Sequence, residues 1–131
     1  MLQQRKGHFG NGIITVKPFK IGEFFMNRFV VLLKDKRKGE LDSSLLARHI
    51  DHLRQLNQAG KLMVAGPFKN NEQAMIILNC EDIDEAIKLV ERDPFIKEEY
   101  YNTYDINELI IANEENNWLM DSPQTTGNLV H

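Results

Sequence analysis

Five apolar residues in succession, Phe29-Val30-Val31-Leu32-Leu33, stand between two charges, Arg28 and Lys34. A strand with one wet face alternates apolar and polar side chains, whereas a strand covered on both faces carries an unbroken apolar run. The run is short for a helix, and Val30 and Val31 are β-branched. Arg28–Lys34 is therefore predicted to be a buried central strand. A chain built around such a strand has to cover both faces of its sheet.

Further along, the apolar period changes from two to that of a helix. Leu45, Leu46, Ile50, Leu53 and Leu56 fall on one helical face, with Asp51, Arg54 and Gln55 pointing away. Asp42, Ser43 or Ser44 can cap this helix, and Gly60 can close it in a left-handed conformation. Lys61–Gly66 reads as a second strand, ended by Gly66-Pro67 because proline cannot donate to a central ladder. Lys69-Asn70-Asn71-Glu72 is a hairpin turn, and Ala74–Leu78 a third strand. Asp82 with Glu85 resembles a capping box for a second helix whose face is Ile83, Ala86, Ile87 and Val90. Asp93-Pro94 breaks that helix and favours the start of a short new turn. Tyr104–Ile111 is predicted as a fourth strand, with Tyr104, Ile106 and Ile110 on one face. The order is strand–helix–strand–strand–helix–strand. Two helices on one face of a four-stranded antiparallel sheet is the ferredoxin-like α+β arrangement, βαββαβ. The other sheet face still needs cover, and a second subunit is the simplest cover, so a homodimer is expected.

The ends differ from this body. Residues 1–25 are interrupted by Gly7, Gly10, Gly12, Pro18 and Gly22, and read as an extension with a possible short strand at Ile13–Val16. Met26 would serve as an alternative start. Residues 26–113 are expected to form the domain. Residues 114–131 read as a polar tail, anchored at most through Trp118, Leu119 and Met120.

The chain has 131 residues, enough for one domain with a real core. It is 42% hydrophobic and 27% charged, with a formal net charge of −3. That balance disfavours a general nucleic-acid or anionic-membrane surface, and no apolar run is long enough to span a bilayer. Arg5 and Lys6 have no apolar stretch behind them, so a secretory signal is not expected. The lone cysteine, Cys80, fits a reducing compartment, and a cytoplasmic location is expected. Cys80 ends an apolar run and reads as a core residue. The basic run Lys34-Asp35-Lys36-Arg37-Lys38-Gly39 reads as a solvated loop, with steering of an anionic ligand as the sharper alternative.

His49 is the residue that departs from the helical pattern. It projects about 25° from the middle of the apolar face of its helix. An imidazole there needs a partner or costs stability. It is either a satisfied core residue or the floor of a pocket. Asp93 is its candidate partner, since both helices cover the same sheet face in this topology. A carboxylate bonded to one ring nitrogen fixes the tautomer and raises the basicity of the other, which can then move a proton. Asp93 alone reads as a cap before Pro94, but a carboxylate has two oxygens, so capping and orienting can coexist. His52, three residues from His49, can face a common ligand. Gly66, Pro67 and Phe68 would shape the cavity wall. Tyr100, Tyr101 and Tyr104 cluster before the last strand, and Tyr104 is the one placed at the pocket. A zinc site would need His8, His131 or Cys80 as further ligands, so no metal and no cofactor are expected. There is no P-loop, no Gly-x-Gly-x-x-Gly and no His-Glu-x-x-His.

The run from His49-Ile50-Asp51-His52 through Gly60-Lys61-Leu62-Met63-Val64-Ala65-Gly66-Pro67-Phe68 resembles the YciI-like (YCII-related) family. So does a second block, Ile83-Asp84-Glu85-Ala86 through Asp93-Pro94-Phe95. Order and spacing agree over about residues 27–112. The resemblance implies a dimeric α+β barrel built from two ferredoxin-like subunits. It implies that His49 and Asp93 occupy the family's active-site positions. One related enzyme type removes halide from a chlorinated hydroxyquinone with such a pair, and muconolactone isomerases share the wider fold. A site transfers more securely than a substrate. The leading expectation is a small-molecule enzyme of lyase or isomerase type. The alternative is a non-catalytic metabolite-binding or protein-interaction module.

Overall fold

A computed structural model of the chain describes residues 26–123. The N-terminal extension, where a short strand is expected at Ile13–Val16, and His8 and His131 lie outside the described residues. The elements are β1 (Asn27–Lys36), α1 (Ser43–Gln58), β2 (Leu62–Pro67) and β3 (Ala74–Cys80). They continue with α2 (Ile83–Glu91), a single helical turn α3 (Pro94–Lys97) and β4 (Tyr101–Leu109). A 3-10 segment, Glu114–Leu119, follows. The sheet order is β2-β3-β1-β4, with every neighbouring pair antiparallel. The described fold is α+β, the ferredoxin-like βαββαβ arrangement.

The unbroken apolar run sits in β1, between β3 and β4, as its pattern requires. Phe29, Val31 and Leu33 are buried with Ile76 and Leu78 of β3. Against them pack Leu45 and Leu56 of α1 and Ala86, Leu89 and Val90 of α2. The alternate residues Val30, Leu32, Met75 and Ile77 point to the other sheet face and are only half-buried. Both helices thus serve one face, and the described residues leave apolar side chains on the second.

Local chemistry sets the boundaries. Asp42 caps α1, accepting from the Leu45 N–H at 3.2 Å. Gly60, at φ 76°, turns the chain out of the helix in the left-handed region that glycine tolerates. Asp82 caps α2 by accepting from the Glu85 N–H at 2.8 Å. The reciprocal bond differs from the expected capping box: Glu85 takes the Glu81 N–H, one residue earlier, at 2.8 Å. A bulge between Leu62 and Val64 leaves Met63 outside the register of β2.

The fourth strand is displaced from its expected position. It starts at Tyr101 rather than Tyr104, because α3 is a single turn and Glu99, at φ 58°, reverses the chain directly after it. It stops at Leu109, which pairs with Arg28 near the beginning of β1. Ile110 and Ile111 therefore have no strand to pair with and stay exposed. At the other end β1 runs two residues past Lys34, and Lys36 pairs with Tyr101. The segment read as a tail begins with the 3-10 segment, capped by Asn113 and Asn116 exchanging bonds. Trp118 and Met120 do not anchor it; both are more than half exposed.

Candidate active site

His49 sits on the inward side of α1, with Leu45 and Leu53 on neighbouring turns. Its side chain is 12% exposed. Asp93 is buried to 1% and starts α3. Nδ1 of His49 lies 2.8 Å from Oδ1 of Asp93. The same Oδ1 accepts the Phe95 N–H at 2.9 Å, which is the cap that α3 needs. Capping and orienting therefore coexist, but on one oxygen rather than two. Oδ2 is buried and has no hydrogen-bond partner among the described residues.

The turn that carries Asp93 is held against α1 by more than this bond. The Phe95 ring stacks on the His49 imidazole, with centroids 3.7 Å apart and planes at 6°. Arg48, the preceding residue on α1, pairs with Glu98 just past the end of α3. Phe95 also meets Tyr100 at 4.7 Å and Tyr101 at 5.9 Å between ring centroids. The imidazole is fixed in plane by the stack and in direction by the carboxylate. An ionised carboxylate only accepts, so a neutral His49 in this arrangement carries its proton on Nδ1. Nε2 then holds the lone pair and makes no hydrogen bond to a described residue.

His49 lines a cavity of about 310 Å³ bounded by α1, the β2–β3 hairpin and the start of β4. Leu33, Ile50, Leu53, Ala65 and Ile76 make most of its wall apolar. Gly66 and Pro67 line it at the end of β2. The remaining polar wall groups are Asn71, Tyr100 and Tyr101. Burial pushes the Tyr101 hydroxyl above its usual value, and the neighbouring Tyr100 and Asp93 add to this.

Three residues assigned to the pocket from the sequence do not line it. His52 lies one turn along α1 and is absent from the cavity wall; burial lowers its pKa, with Asp93 and the Leu89 backbone opposing and His49 and Arg92 adding to the fall. Phe68 belongs to the exposed hairpin, where its N–H pairs with the Gln73 carbonyl at 2.9 Å. Tyr104 donates its hydroxyl to Glu91 at 2.8 Å, and its pKa is pushed up to about 12 by burial and that bond. The tyrosine cluster does reach the cavity, through Tyr100 and Tyr101 instead. The signal that separates them is the strand start at Tyr101, which the sequence pattern misplaced. Among the described residues no three histidine, cysteine, aspartate or glutamate side chains gather as a metal site. Cys80 is fully buried away from the cavity, and burial pushes its thiol up to about 11.

The chain is thus a small α+β domain, a ferredoxin-like unit with a carboxylate-oriented histidine on the wall of an apolar cavity. The chain belongs to the YCII-related domain family, whose model matches residues 27–110. No curated protein matches it. Among solved structures it is similar to 5-chloro-2-hydroxyhydroquinone dehydrochlorinase from Burkholderia phenoliruptrix, solved in complex with 2,5-dihydroxybenzoquinone. The identity is 23%, the match covers 67% of this chain and 97% of that one, and the TM-score is 0.49.

Proposed function

We propose that the protein is a small-molecule enzyme of lyase or isomerase type in which His49 Nε2 moves a proton on a ligand held in the cavity. Asp93 orients the ring and stabilises the imidazolium that forms when Nε2 takes the proton. The observation that carries this reading is the buried Asp93 carboxylate bonded to Nδ1 of a histidine that lines the cavity. The volume, at the lower end for ligand sites, suits a single-ring or two-ring compound. We further propose that the working form is a homodimer, the second copy covering Val30, Leu32, Met75 and Ile77 on the open sheet face. No helix among the described residues is long and apolar enough to cross a membrane.

The test is a thermal-shift screen of small cyclic acids, phenols and lactones against wild type and His49→Ala, followed by turnover assays on the hits. A ligand at about 100 times its Kd stabilises by about 2.7 kcal/mol, which a melting curve resolves. The expected hit shifts wild type alone and is consumed by wild type alone, while the variant keeps its oligomeric state. Turnover that survives His49→Ala unaltered removes the role given to His49. A hit that binds through His49 without being consumed favours the second reading, a non-catalytic metabolite-binding module. The flat stack of His49 on Phe95 would hold the ring still for recognition as well as for chemistry, and so fits either reading.

A further inference from the structure

One rim of the His49 cavity carries positive charge. β1 ends at Lys36, and Arg37 and Lys38 follow. Lys36 Nζ donates to the Asn71 carbonyl at 2.5 Å, and Asn71 lines the cavity. Arg37 donates its backbone N–H to the Tyr100 carbonyl at 2.7 Å. Its guanidinium carbon lies 5.6 Å from the centre of the Tyr100 ring, and Lys36 Nζ lies 5.8 Å from the same centre. Both distances are within reach of a cation–π attraction. Tyr100 is itself a cavity wall. Two cations are thus tethered, by named bonds and ring contacts, to two residues that line the cavity.

The carboxylates nearby offset these cations only in part. Lys36, Arg37 and Lys38 form no ion pair with a described carboxylate. Asp35 accepts the Thr103 hydroxyl at 2.6 Å, and Glu98 is paired with Arg48. The open cleft beyond the rim is lined by these three cations against the carboxylates of Asp35 and Glu72, and it shares Asn71 with the cavity. On a chain of net charge −3, this local excess of positive charge next to an apolar cavity is a selective feature. A guanidinium held on an aromatic ring is partly ordered in advance, so less freedom is lost when it meets an anion.

We infer that the cavity's ligand is a small ring compound bearing a carboxylate. The ring lies among the apolar walls beside His49, and the carboxylate sits at the rim against Arg37 and Lys36. This rests on the reading that the His49 cavity takes a small molecule, and adds the charge and the orientation of that molecule. The ring positions that reach Nε2 are then those remote from the carboxylate.

Benzoate and benzamide, alike in shape and different in charge, separate the two readings. Each is titrated into the protein while the ring signals of His49, Tyr100 and Tyr101 are followed by NMR. Benzoate should bind about tenfold more tightly, equivalent to one well-placed charge contact. The preference should fall toward unity in Lys36→Gln/Arg37→Gln and weaken with added salt. It should persist in His49→Ala, read on the tyrosine signals, since the rim and not the imidazole is its source. Equal affinity of the two probes overturns the inference and leaves the small-molecule cavity standing. A benzoate preference unchanged in the double variant, or lost only in His49→Ala, also overturns it. If neither probe shifts any of these rings, the inference fails together with the reading beneath it.

Discussion

Asp93→Ala removes two hydrogen bonds that meet on one oxygen, and the structure allows their separate weights to be read. The first is the cap on α3, the Phe95 N–H at 2.9 Å. Loss of an N-cap costs about 1 kcal/mol. The second is the bond to His49 Nδ1 at 2.8 Å, between a fully buried carboxylate and a ring that is 12% exposed. Removing one partner of a buried bond orphans the other, at about 1–3 kcal/mol. Oδ2 is buried without a described partner, so its removal returns part of a desolvation cost. The expected net loss is about 2–3 kcal/mol, or roughly 10 °C in Tm for a domain of this size. Asp82→Ala is the internal control. Asp82 makes the same kind of cap on α2, accepting from Glu85 at 2.8 Å, but bonds no histidine, so it should cost only about 1 kcal/mol. A double-mutant cycle with His49→Ala then isolates the pair, with a coupling of about 1–2 kcal/mol expected. Urea denaturation at fixed protomer concentration measures all four proteins, since an oligomer's stability depends on concentration. If Asp93→Ala costs no more than Asp82→Ala, or the cycle is additive, then the buried His49–Asp93 bond does not organise the site.

Burial holds the His52 imidazole below its ordinary value, so the folded protein takes up that proton less readily than the unfolded chain does. Stability is therefore undiminished above the unfolded value of about 6.5 and is lost as the pH falls from there toward the folded value. Urea midpoints at about pH 7.5 and about pH 5.5 should differ less in His52→Gln than in wild type, and equal differences would contradict the assignment. Burial pushes the Cys80 thiol up to about 11, so a disulfide reagent at neutral pH should label it only on unfolding; prompt labelling of the native protein would show that the thiol is reachable. Leu32→Lys places a charge on the open sheet face and should shift the protein to monomer in sedimentation velocity runs. Wild type that sediments as a monomer over the same concentrations would remove the homodimer proposal.

What the sequence disclosed and what it hid divide along a physical line. Elements with a strong local signature were legible. The apolar run fixed β1, the helical period fixed α1, and Gly60, Asp82 and Asp93 marked helix ends through side-chain and backbone chemistry that acts within three or four residues, while at the start of α1 the pattern offered Asp42, Ser43 and Ser44 and the structure uses Asp42. The pairing of His49 with Asp93 was legible because the βαββαβ order lays both helical segments on one sheet face. The start of β4 was not legible, since it depends on Glu99 adopting a positive φ and on Lys36 offering a partner far away in sequence. The choice among three tyrosines followed from that strand start and failed with it. His52 shows the limit of spacing arguments. It lies one turn from His49, yet that small rotation carries it toward the Leu89 backbone of α2 and off the cavity wall.

The short turn α3 explains why site and fold cannot be separated here. Four residues are too few to hold a helical turn by backbone bonding alone. Proline at its first position, the Asp93 cap and the docking of Phe95 supply what length does not. Phe95 docks on His49 itself, and the cap shares its oxygen with His49 Nδ1. The imidazole is thus part of the packing that keeps α3 folded, while α3 supplies the carboxylate that sets the imidazole's tautomer. Each keeps the other in the geometry that the proposed proton transfer requires. An histidine that were only a core residue would need a satisfied ring nitrogen, and Asp93 provides that. It would not also need to stand on the wall of an apolar cavity with its second nitrogen unbonded to any described residue, and that is the feature packing alone does not account for.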